Sequence, residues 1–217
     1  MTVLSTPTLP VKWKSPDLES PLIGPADNGR LMTPDEFDAL TRDDVEAGYA
    51  YELIHGVFIV SPAAGPMETD PNGQLEFLLR LYDMHHPGVI DKTVYESDVR
   101  TKTCWRRADR VIWIGLGRVP KPKQDVPTIA VEFLSAGTRS RTRDYEEKRQ
   151  EYLDIGIQEF WLFDRFQRQL TVFHRRGGID QEQVIAMTEI YRTPLLPEFE
   201  LPVGQVLSRA DDWNEEN

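Results

Sequence analysis

One heptapeptide constrains this chain more than any other: IAVEFLS, residues 129–135. Ile129, Ala130, Val131, Phe133 and Leu134 make the short apolar run expected of a strand buried on both faces. Glu132 sits in the middle of it. A lone carboxylate there costs several kcal/mol unless it is paired, protonated or bound to a metal. Whatever satisfies Glu132 therefore has to be built into the fold around it.

The surrounding elements follow from local pattern. Residues 1–30 carry Pro7, Pro10, Pro16, Pro21 and Pro25 with little periodicity, which reads as an extended or disordered arm. In TPDEFDAL, Thr33 is placed as N-cap, Pro34 at the first helical position and Glu36 where a capping box needs it. YELIHGVFIV reads as a hairpin around His55-Gly56. NGQLEFLLRLYDMHH spaces Leu75, Leu78, Leu79 and Tyr82 as one helical stripe, ended by Pro87-Gly88. Strands are expected around 89–100, 110–114 and 129–134. A long helix over 138–155 follows, with Gly156 at its C-terminal stop. EFWLFD is a buried strand, and LTVFHR with QVIAMTE forms a hairpin turning near Gly177-Gly178. SRADDWNEEN, 208–217, reads as an acidic tail. The order αββα, βββ, α, then β-rich predicts an α/β domain over 31–207, a mixed β-sheet flanked by helices.

Composition narrows the classes. No apolar run approaches the ~18 residues of a membrane span, and the N-terminus lacks the apolar stretch of a secretory signal. One cysteine, Cys104, excludes a disulfide framework and a cysteine-based zinc site, and a reducing cytoplasm is the expected location. The histidines His85, His86 and His174 lack zinc-site spacing. The formal charge of −11 argues against a protein that coats nucleic acid. Residues 100–149, however, carry 13 Lys/Arg and 6 Asp/Glu, a local excess of cations on both sides of Glu132. That block is either a solvated face or a basic strip for a polyanion.

Glu132 is not the only strand carboxylate. Glu52 lies in YELI and Asp109 at the mouth of ADRVIWI. Together they offer the hard oxygen ligands that Mg²⁺ takes from protein. Asp144, Lys148 and Tyr152 are four apart and form one helical stripe. A lysine aimed at such a site can hold an attacking water or offset charge on a phosphate. Arg139, Arg141 and Arg143, just ahead of the helix, and Arg107 suit phosphate contacts. Trp105, in the basic block, is a packing residue or a platform for a base. Plainer roles stand beside these. Glu132 can be salt-bridged to Lys148 in an inert core, Asp109 can pair with Arg106, Arg107 or Arg110, and Asp144 can pair with Lys148.

Asp109, then Glu132 some two dozen residues on, then a helix with Lys148 and Tyr152, resembles the PD-(D/E)XK nuclease superfamily. With MTPDEFDAL, YELIHGVFIVSP, RRADRVIWIGL and PLLPEFELP, the chain from about Leu31 to Leu207 looks like its Uma-type "putative restriction endonuclease" branch. The resemblance implies a restriction-endonuclease-like core. Asp109 and Glu132 would bind Mg²⁺ (or Mn²⁺), supported by Glu52, and Lys148 would be the catalytic lysine. DNA would be cut by in-line attack of a metal-activated water, leaving a 3′-hydroxyl and a 5′-phosphate. A homodimer is one assembly it allows. Three positions depart from the pattern. Ala108 replaces the motif proline, His55 stands where relatives often have Asp, and Asn72 lies near the usual histidine. Leu134 also occupies the position that in many members carries the lysine. Two other outcomes stay open: a degenerate nuclease fold that binds DNA or protein without cutting, and phosphoryl transfer on a smaller substrate.

Overall fold

The structure is a computed structural model, and it describes residues 22–136, 143–176 and 179–213. Helix α1 (Pro34–Ala39) precedes a hairpin of β1 (Tyr49–Ile54) and β2 (Val57–Pro62), then α2 (Pro66–His85). Strands β3 (Ile90–Arg100), β4 (Trp105–Ile114) and β5 (Ile129–Phe133) follow. A π-helical turn, Arg143–Lys148, leads into α3 (Arg149–Asp154). The chain then forms β6 (Glu159–Asp164), β7 (Gln169–Arg176) and β8 (Ile179–Ala186). It closes with the short pair β9 (Ile190–Tyr191) and β10 (Leu201–Pro202) and helix α4 (Val203–Leu207).

The eight strands β1–β8 make one sheet, in the order β2-β1-β4-β5-β6-β7-β8 with β3 paired to β4. Only β5 and β6 run parallel, so the chain must cross over between them, and it does so through α3. Helices cover both faces. Leu75, Leu79 and Tyr82 of α2 pack with Ile129, Val131, Phe133 and Trp161 on one side. Tyr152 and Leu153 of α3 pack with Ala130, Leu134 and Phe160 on the other. A mixed sheet flanked by helices is therefore the observed architecture. All of β5 is buried, as its composition requires.

Local signals account for much of this. The Thr33 hydroxyl accepts from the Glu36 amide at 3.2 Å, and the Glu36 carboxylate accepts from the Thr33 amide at 2.7 Å. Thr33→Ala should therefore cost about 1 kcal/mol, measured by urea unfolding. His55 and Gly56 both adopt positive φ, 49° and 81°, the pairing a two-residue hairpin turn of this type demands. Gly156 ends α3 at φ 98°.

Three expectations change. Residues 22–30 are not a loose arm: Ile23 bridges Val45, and the Gly29 amide donates to the Phe58 carbonyl, so the segment covers the outer edge of β2. Residues 208–213 form a 3₁₀ helix instead of a tail, with Trp213 Nε1 donating to Asp70 and Arg168 paired to Asp211 at 2.5 Å. Helix α2 begins six residues earlier than the apolar stripe indicates, at Pro66, and carries Pro71 inside. Trp105 is buried against Phe37, so of its two readings the packing one holds. The Gly177-Gly178 turn lies outside the described residues. No described helix is long and apolar enough to cross a membrane.

Candidate active site

β4 organises the site. Strand β3 pairs along one edge of β4 from Trp105 to Ile114. The other edge is shared: β1 meets it at Trp105, and β5 meets it at Arg110, Val111 and Ile112. Between those contacts the edge of β4 is open to side chains. The Arg107 amide donates to Glu52 Oε1 at 3.0 Å, and the Arg107 carbonyl accepts from Lys148 Nζ at 3.0 Å. Side chains thus take over backbone groups that a neighbouring strand would otherwise satisfy.

The acids converge on this gap. The β4–β5 ladder ends at Arg110↔Val131, and one further step along that register sets Asp109 opposite Glu132. Asp109 Oδ2 accepts from the Phe133 amide at 2.6 Å, the residue next to Glu132. Glu132 is on the α3 side of β5, because Ile129, Val131 and Phe133 alternate to the α2 side. Its Oε1 accepts from Lys148 Nζ at 2.7 Å and from the Tyr152 hydroxyl at 3.1 Å. Lys148 Nζ also lies 3.8 Å from Glu52 Oε1. Glu132 and Lys148 are only 4% and 2% exposed. The stripe from Lys148 to Tyr152 does meet the strand acid, and the Glu132–Lys148 pair is the one that the plainer reading of Glu132 names. Tyr152 is fully buried, and burial, then the Glu132 charge, push its pKa well above the usual range. It remains a hydroxyl donor to Glu132 and cannot serve as a base.

Glu52, Asp109, Glu132 and Lys148 all line one cleft of about 380 Å³. Two acids absent from the sequence reading join them, Glu68 and Glu96. Glu68 is the third residue of α2, and its carboxylate accepts from the Gly65 amide at 3.1 Å. The signal for it was the Gly-Pro-Met-Glu start of α2, a helix opening with an acid at the capping-box position. Glu96 carries no such signal. It adopts φ 46° on β3, where the β3–β4 register passes from Tyr95↔Arg110 to Ser97↔Ala108 over the Glu96/Asp109 step. The alternation of β4 breaks here: Arg106 reaches Glu151 on α3, whereas Arg110 reaches Asn72 on α2. Left-handed backbone at a glutamate is a strained feature of about 1–3 kcal/mol, and it sits beside the candidate acid.

The remaining candidates divide. Asn72 is buried, donates to the Asp109 carbonyl at 2.9 Å and accepts from Arg110 Nε at 2.6 Å, so it holds the backbone of Asp109 in place. Leu134 is buried under α3 and contributes only packing. Arg107 lines the cleft with its guanidinium held by Glu96 and Asp98, each at 3.1 Å. Arg106, Arg110, Arg118 and Lys123 also stand in ion pairs, with Glu151, Glu76, Asp125 and Asp38. Much of the basic block is thus paired with acids from elsewhere in the chain. Arg139 and Arg141 lie outside the described residues, as do the side chains of Arg143 and Asp144. A second cavity of about 670 Å³, with Tyr49 and Phe37 in its wall, shares Ala63, Glu96 and Arg107 with the cleft and so lies directly beside it.

Comparison with known proteins agrees with this architecture. The model of the Uma2 family, described as "Putative restriction endonuclease", matches residues 34–204. The fold is similar to the crystal structure of a "putative nuclease belonging to DUF820" from Anabaena variabilis ATCC 29413, with a TM-score of 0.62 and 19% identity, covering 82% of this chain and 99% of that one. Nothing among curated proteins matches the chain.

Proposed function

The chain belongs to the Uma2 family, and from that premise and the chemistry of the cleft we propose that it is a divalent-metal-dependent endodeoxyribonuclease. One observation carries the reading: Glu52, Asp109, Glu132 and Lys148 arrive from β1, β4, β5 and the π-helical turn at a single cleft. The donor set there is carboxylate oxygen, which fits Mg²⁺ or Mn²⁺ and suits softer metals poorly. Asp109 and Glu132 would hold the ion, with Glu52 alongside. Such an ion lowers the pKa of a water and offsets charge growing on a phosphate.

The chain's own residues do the rest. Phe133 N–H and Asn72 fix Asp109 from its side chain and its carbonyl. Tyr152 and Lys148 fix Glu132. The Lys148 ammonium is within reach of a phosphate entering beside Glu132, where its charge stabilises the pentacoordinate transition state in a cleft of low dielectric. The second cavity, adjacent to the cleft at Arg107, offers neighbouring space for nucleotides flanking the scissile bond. That extension favours a polymer over a small phosphoryl donor.

The test is hydrolysis by the purified wild-type protein of duplex, single-stranded and branched DNA. Cleavage should require Mg²⁺ or Mn²⁺ and stop with EDTA. Retained DNA binding with no cleavage of any substrate would replace this reading by the non-cutting alternative.

A further inference from the structure

A second convergent cluster lies outside the cleft. His55 stands on the β1–β2 turn, Cys104 just before β4, and Glu151 on α3. Cys104 Sγ is 3.7 Å from His55 Nδ1 and 3.6 Å from Glu151 Oε1, and one ligand atom from each of the three lies within 4.8 Å of the others. We propose that these residues form a site for a thiophilic divalent cation of the Zn²⁺ class, distinct from the carboxylate cleft.

The geometry favours it. Zn–S bonds of about 2.3 Å and Zn–N or Zn–O bonds of about 2.0–2.1 Å give tetrahedral edges of about 3.5 Å between sulfur and the other ligands. Both observed sulfur distances are close to that edge, so an ion fits with small side-chain adjustments. His55 is exposed, which leaves a route inward and a fourth position for water. The outer partners are already in place. Arg106 donates to Glu151 Oε2 at 2.7 Å and to Oε1 at 2.8 Å, which fixes the carboxylate as ligands usually are fixed. Thr103 Oγ1 lies 3.4 Å from Cys104 Sγ.

Charge is consistent too. The Arg106 cation is offset by Glu147 at 3.0 Å. The Glu151 carboxylate and a Cys104 thiolate then balance a dication, and the thiol proton leaves to solvent on binding. Mg²⁺, which needs an octahedron of oxygens, does not fit this set. A bound ion would brace the β1–β2 turn and the start of β4 against α3, which carries Tyr152 and directly follows Lys148. Counting one cysteine could not reveal a mixed site whose ligands are about fifty residues apart.

The experiment uses chelator-stripped full-length protein titrated with Co²⁺ and Zn²⁺. Co²⁺ should give a thiolate-to-cobalt charge-transfer band at one equivalent. Zn²⁺ at a hundredfold over its Kd should raise Tm by about 5–10 °C. Asp109→Asn should leave the band and the shift in place, because the cleft is separate, and its result is independent of whether DNA is cut. Cys104→Ser should lose the band. His55→Asn tests the site without disturbing the core, since asparagine tolerates the positive φ at that turn. It should lose the Zn²⁺-induced Tm rise. A band that survives Cys104→Ser, a Tm rise that survives His55→Asn, or metal effects lost only in Asp109→Asn, would overturn the proposal.

Discussion

Replacing Lys148 by methionine is expected to destabilise the protein by about 3–5 kcal/mol. The methionine nearly fills the space of the lysine stem, so little of the loss comes from a cavity. The loss comes from charge. Lys148 Nζ faces Glu132 at 2.7 Å and Glu52 at 3.8 Å, and all three residues are buried. Removing the cation leaves two carboxylates in a poorly solvated pocket, and also removes the donor to the Arg107 carbonyl. Protonation relieves the strain, so a carboxylate pKa rises in the folded variant. A raised folded-state pKa means the folded form binds more protons than the unfolded one, and stability then falls as pH rises. The variant should therefore regain stability toward acid relative to the wild type. Urea unfolding from pH 5 to 8 measures this. Adding Glu132→Gln should restore part of the loss, with a coupling energy in the range of about 0.5–3 kcal/mol. A loss below 1 kcal/mol, or one independent of pH, would show that the ion pair is well solvated.

How much of this was legible in the sequence depends on the range of the interaction. Features decided within a few residues were readable: the Thr33–Glu36 box, the His55-Gly56 turn, the Leu75–Leu79–Tyr82 stripe and the stop at Gly156. The start of α2 was hidden by Pro71. A proline inside a helix removes one backbone bond and usually marks a boundary, so local pattern places the start at Asn72. Glu68 was lost with that first turn. Residues 208–213 look polar enough for a tail. They are held by partners far away in the chain, Asp70 and Arg168, which no local pattern announces. Glu96 is the extreme case, since nothing about a glutamate in YESD foretells a left-handed backbone.

A carboxylate in an apolar strand is also not sufficient to mark a site. EFWLFD has two, Glu159 and Asp164, as deeply buried as Glu132. Glu159 accepts from the Trp161 indole at 2.8 Å, the Tyr191 hydroxyl at 3.0 Å and the Thr193 hydroxyl at 2.7 Å, all in the core. Asp164 closes the turn after β6 by accepting from the Phe166 and Gln167 amides. Both are buried polar groups satisfied by the fold itself. What separates Glu132 is the open edge of β4 beside it. There a cleft reaches the carboxylate, and three more strand acids, Glu52, Glu96 and Asp109, reach the cleft. Topology decides this, and only the spacing from Asp109 to Glu132 to Lys148 hinted at it.

That distinction makes Asp109→Asn the sharpest probe of the chemistry. Glu132→Gln would confound it, because it also breaks the buried pair with Lys148. Asparagine at 109 keeps a side-chain oxygen to accept from the Phe133 amide, and Asn72 still holds the backbone carbonyl. The exchange of a charged acceptor for a neutral one should change stability by only about 1 kcal/mol. The anionic oxygen that a hard cation requires is nevertheless gone. DNA cleavage in Mg²⁺ should fall at least about 10³-fold, while affinity for uncut DNA in Ca²⁺ changes little. The wild-type rate in this variant would remove Asp109 from the active centre. An equal loss of binding and cleavage would make Asp109 a contact for the substrate and not for the metal. With the fold preserved, as unfolding curves would show, only the first pattern of loss is compatible with an acid that β4 delivers to a metal opposite Glu132.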